Sequence, residues 1–390
     1  MKVLMINVVC GIRSTGRICT DIAAELEKQG HEVKIAYGRE NVPEQFQRYA
    51  VRIGNDLDMM LHGVKARLLD ASGFGSKSAT KRFIKWVKEY DPDIIHLHNI
   101  HGYYINVRVL FDYLKICGKK IVWTLHDCWS FTGHCVYFDY INCEKWKYGC
   151  EHCLQKSEYP ARIGPDMSKQ NYAIKKKLFG EIPNMTLVAP SKWLADLIPE
   201  SYMKEYPTKV IYNGVDTETF KPTNSNFKEK YNCIDKKIVL GVASVWDKRK
   251  GLSTFVELAD KLDDSYQIVM VGLTKEQIGQ LPDNIIGIER TNSVLELAEI
   301  YTAADVFVNP TLEDNYPTTN IESIACDTPV ITYETGGSPE SAKMFGISVP
   351  KNDIKQLVGA IQNINNIQKK EIYVDSKNTV QKYLELYGGI

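Results

Sequence analysis

The sequence predicts an α/β protein built from two Rossmann-like, doubly wound parallel sheets facing a cleft. Three observations carry that expectation. At 390 residues the chain is longer than one hydrophobic core usually serves, since domains run roughly 100–200 residues. Short, β-rich apolar runs alternate with stretches whose apolar residues recur at helical spacing, the pattern of strand–helix–strand units in a parallel sheet. The alternation then starts afresh after about residue 205.

Taken in order, Lys2 to Val8 is β-rich and mostly apolar and reads as a strand buried on both faces. The loop Gly11-Ile12-Arg13-Ser14-Thr15-Gly16-Arg17 follows, and Ile18, Ile22, Ala23 and Leu26 then mark one helix face that ends near Gly30. His31 to Tyr37, Asp93 to His98, Ile121 to Leu125 and Met185 to Ala189 are the further strands of this half. In the second half, Lys209 to Tyr212, Ile238 to Ala243, Gln267 to Val271, Val306 to Asn309 and Val330 to Tyr333 read as strands. Helices are expected at Leu252 to Leu262, Ser293 to Ala303 and Thr319 to Ala325. The expected domains are 1–200 and 205–365, with a Cys-rich insertion at 128–160 and a C-terminal helix, 370–390, that rejoins the first domain.

Composition excludes several classes. A chain that is 44% hydrophobic and 25% charged is neither disordered nor fibrous. Lys+Arg and Asp+Glu both total 48, so no bulk positive charge grips nucleic acid. No apolar run approaches the roughly 18 residues of a membrane span. Met1-Lys2 followed by Val3-Leu4-Met5-Ile6 is too short for a signal-peptide core. A cytoplasmic location is therefore expected, and the ten cysteines read as thiols or metal ligands before disulfides.

Polar loops recur where strands end, which is where open α/β sheets bind ligands. The Gly11–Gly16 loop lets backbone amides approach a phosphate or sugar, with a plain turn as the competing reading. His126-Asp127 closes one strand and His96-Leu97-His98-Asn99 another. Lys248, Arg249 and Lys250 follow a strand and are expected to open a helix, where cations oppose the macrodipole unless they face an anion such as a diphosphate. Asp314 and Glu322, with seven residues between them, put one carboxylate in a loop and one in the next helix, suited to holding sugar hydroxyls. Gly336-Gly337-Ser338-Pro339-Glu340 follows the next strand.

Together these strings resemble glycosyltransferase family 4, the retaining nucleotide-sugar transferases of the GT-B fold. Asn213-Gly214-Val215-Asp216, Lys250-Gly251, Asp314 to Glu322, Ala325 to Val330 and Gly336-Gly337 carry the resemblance in the second half. Ser14 to Ile18, His96 to Asn99 and Thr124 to Trp129 resemble an exopolysaccharide or capsule branch of it. The resemblance implies that Lys250 neutralises the donor diphosphate and Glu322 binds the ribose. It implies that Asp314, with the amides of Asn315 and Tyr316, holds the sugar, and that His126 meets the sugar near the reacting carbon. The loop containing Gly16 would lie against the diphosphate or acceptor. Two departures stand out. Asp314 replaces the family's Glu, with Glu313 as a neighbouring substitute, and Ser244 stands where an arginine belongs, leaving Arg249 or Lys248 as its replacement.

Cys135, Cys143, Cys150 and Cys153 run C-x7-C-x6-C-x2-C, with Cys128, His134 and His152 interleaved, and suggest a closed structural zinc site. Lys77, Lys81, Arg82, Lys85 and Lys88 interleave with Phe83, Ile84, Trp86 and Val87. That helix either packs normally with solvated lysines or makes peripheral contact with the inner face of an anionic membrane. The expected activity is transfer of a hexose from a nucleoside-diphosphate sugar to a saccharide acceptor, lipid-linked on this reading, in polysaccharide biosynthesis and with retention of configuration. No catalytic metal is required by it. The alternatives are a UDP-sugar 2-epimerase-like isomerase and a non-catalytic two-domain sugar-binding protein.

Overall fold

The computed structural model describes residues 1–388, and the apolar runs of the chain become strands of two all-parallel sheets. The chain divides into one unit of Met1–Tyr212 with the residues from Val380 onward, and a second of Asn213–Thr379. In the first unit the strands are β1 (Lys2–Ile6), β2 (Glu32–Tyr37), β3 (Ala50–Arg52), β4 (Ile94–Leu97), β5 (Lys120–Thr124), β6 (Met185–Ala189) and β7 (Thr208–Val210), in the order β3-β2-β1-β4-β5-β6-β7. The second unit holds β8 (Lys237–Val242), β9 (Tyr266–Val271), β10 (Ile285–Ile288), β11 (Val306–Asn309), β12 (Val330–Tyr333) and β13 (Gly346–Val349), in the order β10-β9-β8-β11-β12-β13.

Alternation along β1 explains why Val3 to Ile6 is apolar throughout. Leu4 and Ile6 enter one core while Val3 and Met5 enter the core on the opposite face. Helix α1 (Arg13–Lys28) covers the second of these with Ile18, Cys19, Ile22, Ala23 and Leu26. Helix α2 (Asp56–Leu69) opens with a reciprocal capping box between Asn55 and Asp58, and α3 (Lys77–Tyr90) buries Ala79, Phe83, Ile84 and Val87. The C-terminal helix Ser376–Tyr387 starts in the second unit and then buries Val380, Tyr383, Leu384 and Tyr387 in the first. Its Tyr387 hydroxyl meets His96 Nδ1 at 2.6 Å, and Tyr383 meets Thr124 Oγ1 at 3.0 Å.

Edge strands are where the sequence expectation fails. β3, β10 and β13 were not anticipated, and the run at Lys209–Tyr212 joins the first sheet as β7 rather than opening the second. All four lie at sheet edges and bury at most one residue each, so none carries the continuous apolar signal of an inner strand.

The insertion between β5 and the helix Ser168–Phe179 is held by aromatic packing. Trp129, Phe131, Phe138 and Trp146 are buried, with Phe131 and Phe138 rings 5.3 Å and 4.8 Å from Trp146. Buried Lys175 donates to the Trp129 carbonyl at 2.6 Å and lies 3.8 Å over the Trp129 ring, where burial pulls its ammonium down to about 7. His134 is anchored to Asp70 at 2.5 Å.

The cysteines expected to hold zinc lie in the same insertion. Cys135, Cys143, Cys150 and Cys153 do line one small cavity of about 40 Å³. Yet among the described residues no group of three or more His, Cys, Asp or Glu side chains is placed to hold a metal ion. The Cys135 and Cys153 thiols instead hydrogen-bond each other, which holds Cys153 down and Cys135 up, and Cys150 Sγ accepts the Gly133 N–H at 3.1 Å.

Candidate active site

Strand order reverses beside β1 and β4 in the first sheet and beside β8 and β11 in the second. The carboxyl ends of those strands are the expected ligand crevices. A cavity of about 1290 Å³ lies elsewhere. Lys120, Met185 and Pro207 line it at the amino ends of β5, β6 and β7, away from every motif described above.

After β8 the chain is pinned by buried Trp246, whose indole donates to the Val271 carbonyl at 2.9 Å. Asp247 then caps a 3₁₀ turn, Lys248–Lys250, through the Lys250 amide at 3.0 Å. Gly251, at φ +78°, separates this turn from the helix Leu252–Ala259, and a Cβ there would lie 2.6 Å from the Pro310 carbonyl. The three cations therefore occupy a separate turn just ahead of that helix and not its first turn. The geometry instead turns Arg249 and Lys250 toward the loop after β11. Arg249 Nη1 donates to the Glu313 carbonyl at 3.0 Å, and the Leu312 amide donates to the Arg249 carbonyl at 2.8 Å. Lys250 Nζ meets Asp314 Oδ2 at 2.5 Å, both side chains being only partly exposed.

Asp314 also accepts the Asn315 amide at 2.9 Å, and its carbonyl accepts the Gly337 amide at 3.3 Å, so the loops after β11 and β12 are tied together. Asn315 and Tyr316 are buried, as is the Glu313 side chain, whereas Asp314 is the carboxylate presented to the lysine. Glu322 lies in the helix Thr318–Ala325 and accepts from the Tyr301 hydroxyl at 3.2 Å. A second anchor, which the sequence did not reveal, is a buried chain from Asn309 to Asn320 (2.8 Å) and on to Ser341 (2.9 Å). It fixes the start of that helix against β11.

In the first unit Gly16 is not in a loop. α1 begins at Arg13, so Gly16 sits in its first turn, where a Cβ would come within 3.2 Å of the Gly11 amide. Asn7, just past β1, ties this turn to the loop after β4. Its amide nitrogen donates to Thr15 Oγ1 at 3.3 Å, and its carbonyl accepts the Asn99 amide at 3.3 Å.

His126 follows β5 and faces His98, which follows β4, with Nε2 and Nδ1 3.0 Å apart and the rings stacked at 5.3 Å. Burial lowers His126 to about 4, so the imidazole is neutral near pH 7 and works as a hydrogen-bonding group rather than a cation. Asp127 turns away to His101, 2.7 Å from Nε2, and His101 Nδ1 reaches Tyr159 of the insertion at 3.2 Å. Burial would raise the Asp127 carboxyl, but His101 and the Trp129 amide together hold it below the usual carboxylate range. This Asp127–His101–Tyr159 connection was missed in the sequence. The one signal for it was the density of histidines at 96, 98 and 101.

Buried neutral histidines make stability depend on pH. Burial takes His62 to about 4, His96 to about 3 and His126 to about 4, and holds His98 well below its ordinary value. Unfolded, all four titrate near about 6.5. Between those values the unfolded chain binds protons that the folded chain refuses, so stability falls as pH falls. His62 alone should contribute about 3 kcal/mol to that loss by pH 4. Urea midpoints measured at neutral pH and near about pH 5 should show the decline, and His62→Gln should flatten part of it. A midpoint independent of pH over this window would contradict the neutral buried state.

Residues 15–219 match the family described as Glycosyltransferase Family 4, and residues 236–366 match glycosyl transferases group 1. A protein of Escherichia coli (strain K12), named as the colanic acid biosynthesis glycosyl transferase WcaC, is 25% identical over 373 residues, covering 92% of this chain and 89% of that one. Sucrose-phosphate synthase from Thermosynechococcus elongatus aligns with a TM-score of 0.70 at 16% identity, over 99% of this chain and 98% of that one. HepE of Anabaena, in complex with UDP-glucose, aligns with a TM-score of 0.65 at 14% identity, over 100% and 99% of the two chains.

Proposed function

Because the chain belongs to glycosyltransferase family 4, we propose that it transfers a hexose from a nucleoside-diphosphate sugar to a saccharide acceptor in polysaccharide biosynthesis. The observation that carries this reading is the Lys250–Asp314 contact of 2.5 Å at the carboxyl ends of β8 and β11. It sets a cation for phosphate beside a carboxylate for sugar hydroxyls. The likeness to a colanic acid biosynthesis protein supports the polysaccharide assignment, and a fold shared with a UDP-glucose complex supports the donor class.

On this reading Lys250 and Arg249 stabilise charge on the departing diphosphate, so the step calls for no divalent metal. Asp314 holds donor hydroxyls, Glu322 accepts from the ribose, and His126 meets the sugar near the reacting carbon. The acceptor hydroxyl oxygen bonds to the anomeric carbon as the glycosyl–phosphate bond breaks, and the leaving phosphate oxygen takes the acceptor's proton. The new bond forms on the face the diphosphate leaves, so configuration is retained. A lipid-linked acceptor fits the surface described in the next subsection.

The test is a binding screen of UDP-, GDP- and ADP-sugars, followed by measurement of nucleoside-diphosphate release with and without saccharide acceptors. One nucleotide class should bind selectively, and release should rise with acceptor. Conversion of a UDP-sugar with no acceptor present would mark an isomerase, and binding without turnover a sugar-binding protein. Glu322→Gln supplies a finer check. It keeps volume and an acceptor for Tyr301 but removes charge, so nucleotide affinity should fall by about tenfold while the melting temperature hardly moves. Unchanged affinity would remove Glu322 from the nucleoside site.

A further inference from the structure

Helix α2 buries its smaller face and shows solvent its larger apolar one. His62 and Ala66 point inward, His62 being fixed by the Gly75 amide and Ser76 Oγ, both at 3.0 Å. Leu57, Met60, Leu61, Val64 and Leu68 fall at i, i+3, i+4, i+7 and i+11, a single stripe at helical spacing. Their exposures are 58, 57, 57, 49 and 47%. Ile163, 70% exposed, extends the stripe, because its amide is bonded to the Arg67 carbonyl near the end of α2 at 2.9 Å. An apolar surface of this kind marks an interaction site.

The charge around it identifies the occupant. Lys65 and Arg67 flank the stripe on either side, and both are exposed. The neighbouring α3 turns Phe83, Ile84 and Val87 into the core and leaves Lys77, Lys81, Arg82, Lys85 and Lys88 outside. Among these cations the acidic side chains of α2 offset only Arg82. Asp56 is paired with Arg52, and Asp58 lies 3.7 Å from Arg82. An apolar stripe bordered by exposed Lys65 and Arg67, with Lys77, Lys81, Lys85 and Lys88 exposed on the neighbouring helix, matches an anionic bilayer, with leucines among the acyl chains and lysines at the headgroups.

We propose that α2 is a membrane-docking helix, lying in the surface of an anionic phospholipid bilayer by its Leu57–Leu68 stripe, with the lysines of α3 as its electrostatic partner. Of the α3 residues expected from sequence to contribute the apolar contact, Phe83, Ile84 and Val87 are buried, and Trp86 is half-buried, stacked between Phe83 and Tyr90. The transferase reading is not needed for this, since binding can be measured with neither donor nor acceptor present.

The full chain should co-sediment with vesicles of phosphatidylglycerol and phosphatidylcholine, and at least about tenfold more weakly with phosphatidylcholine alone. Salt should weaken the binding. The triple variant Leu57→Ser/Leu61→Ser/Leu68→Ser alters only exposed side chains and should lose about tenfold or more with its melting temperature preserved. Lys77→Glu/Lys81→Glu/Lys85→Glu should lose the preference for anionic vesicles. Amide exchange in the unmodified chain offers a reading free of folding artefacts, as residues 56–69 should exchange more slowly on vesicles. Equal weak binding to both vesicle types, unchanged binding of the triple variant, or unchanged exchange in 56–69 would overturn the proposal. So would a stable dimer that the triple variant converts to monomer, since the stripe would then cover a second copy.

Discussion

Replacing Lys250 with Ala should lower kcat/KM by about 10²–10³-fold, the scale seen when one preorganised group facing developing charge is removed. Part of the loss should appear already in binding of the nucleoside diphosphate, which the ammonium meets before bond breaking, and the rest in kcat as charge develops on the leaving phosphate. Asp314 makes the argument sharper. In the structure it neutralises Lys250 at 2.5 Å, so the lysine must release this carboxylate, or share it, to meet a diphosphate. Asp314→Asn removes that competition. It should therefore strengthen binding of the bare nucleoside diphosphate while weakening discrimination for the sugar, whose hydroxyls lose a charged acceptor. Opposite signs in the two variants for the bare nucleotide, with loss in both for the sugar donor, would be hard to obtain from general destabilisation. Arg249→Ala should cost less, since its Nη1 already serves the Glu313 carbonyl and part of its effect passes through the shape of that loop. Unchanged nucleotide affinity in both Lys250→Ala and Arg249→Ala would remove the diphosphate from this loop.

How legible these features were depended on whether the information was local. The inner strands announced themselves because burial on both faces leaves no polar position, as in Val3 to Ile6. The edge strands β3, β7, β10 and β13 are half wet and carry no such run. Lys250 and Asp314 were each legible as a charged residue in a strand-end loop. Their contact spans 64 positions and exists only once β8 and β11 are neighbours. Helix α2 shows a deeper limit. A stripe at helical spacing normally faces the core, and periodicity alone cannot say which way it points. Here the inward face is His62 and Ala66, chosen by hydrogen bonds to residues 75 and 76 that the pattern does not contain. The cysteines were misleading for a related reason. Their spacing suited a metal, whereas among the described residues no group of three or more such side chains is placed for one, and buried Trp129, Phe131, Phe138 and Trp146 pack beside them.

His126→Ala should lower kcat by about 10²-fold, within the range of a well-placed hydrogen-bonding or proton-transferring side chain, while leaving donor affinity nearly unchanged. The neutral state of the imidazole constrains the form of that loss. With burial holding His126 near 4, activity should show no inflection assignable to it between pH 5.5 and 8, so its contribution is one of hydrogen bonding, not of a proton gained or lost in that range. A structural contribution must be separated from the chemical one, because His126 Nε2 is the partner of buried His98 Nδ1 at 3.0 Å. Removing it leaves that nitrogen unpaired at a cost of about 1–3 kcal/mol in stability. His98→Asn disturbs the same contact while sparing the residue assigned to the sugar. It should therefore reproduce the loss of stability with a much smaller loss of turnover. If the two variants slow the reaction equally, His126 serves the packing between β4 and β5, and the group near the reacting carbon must be sought elsewhere.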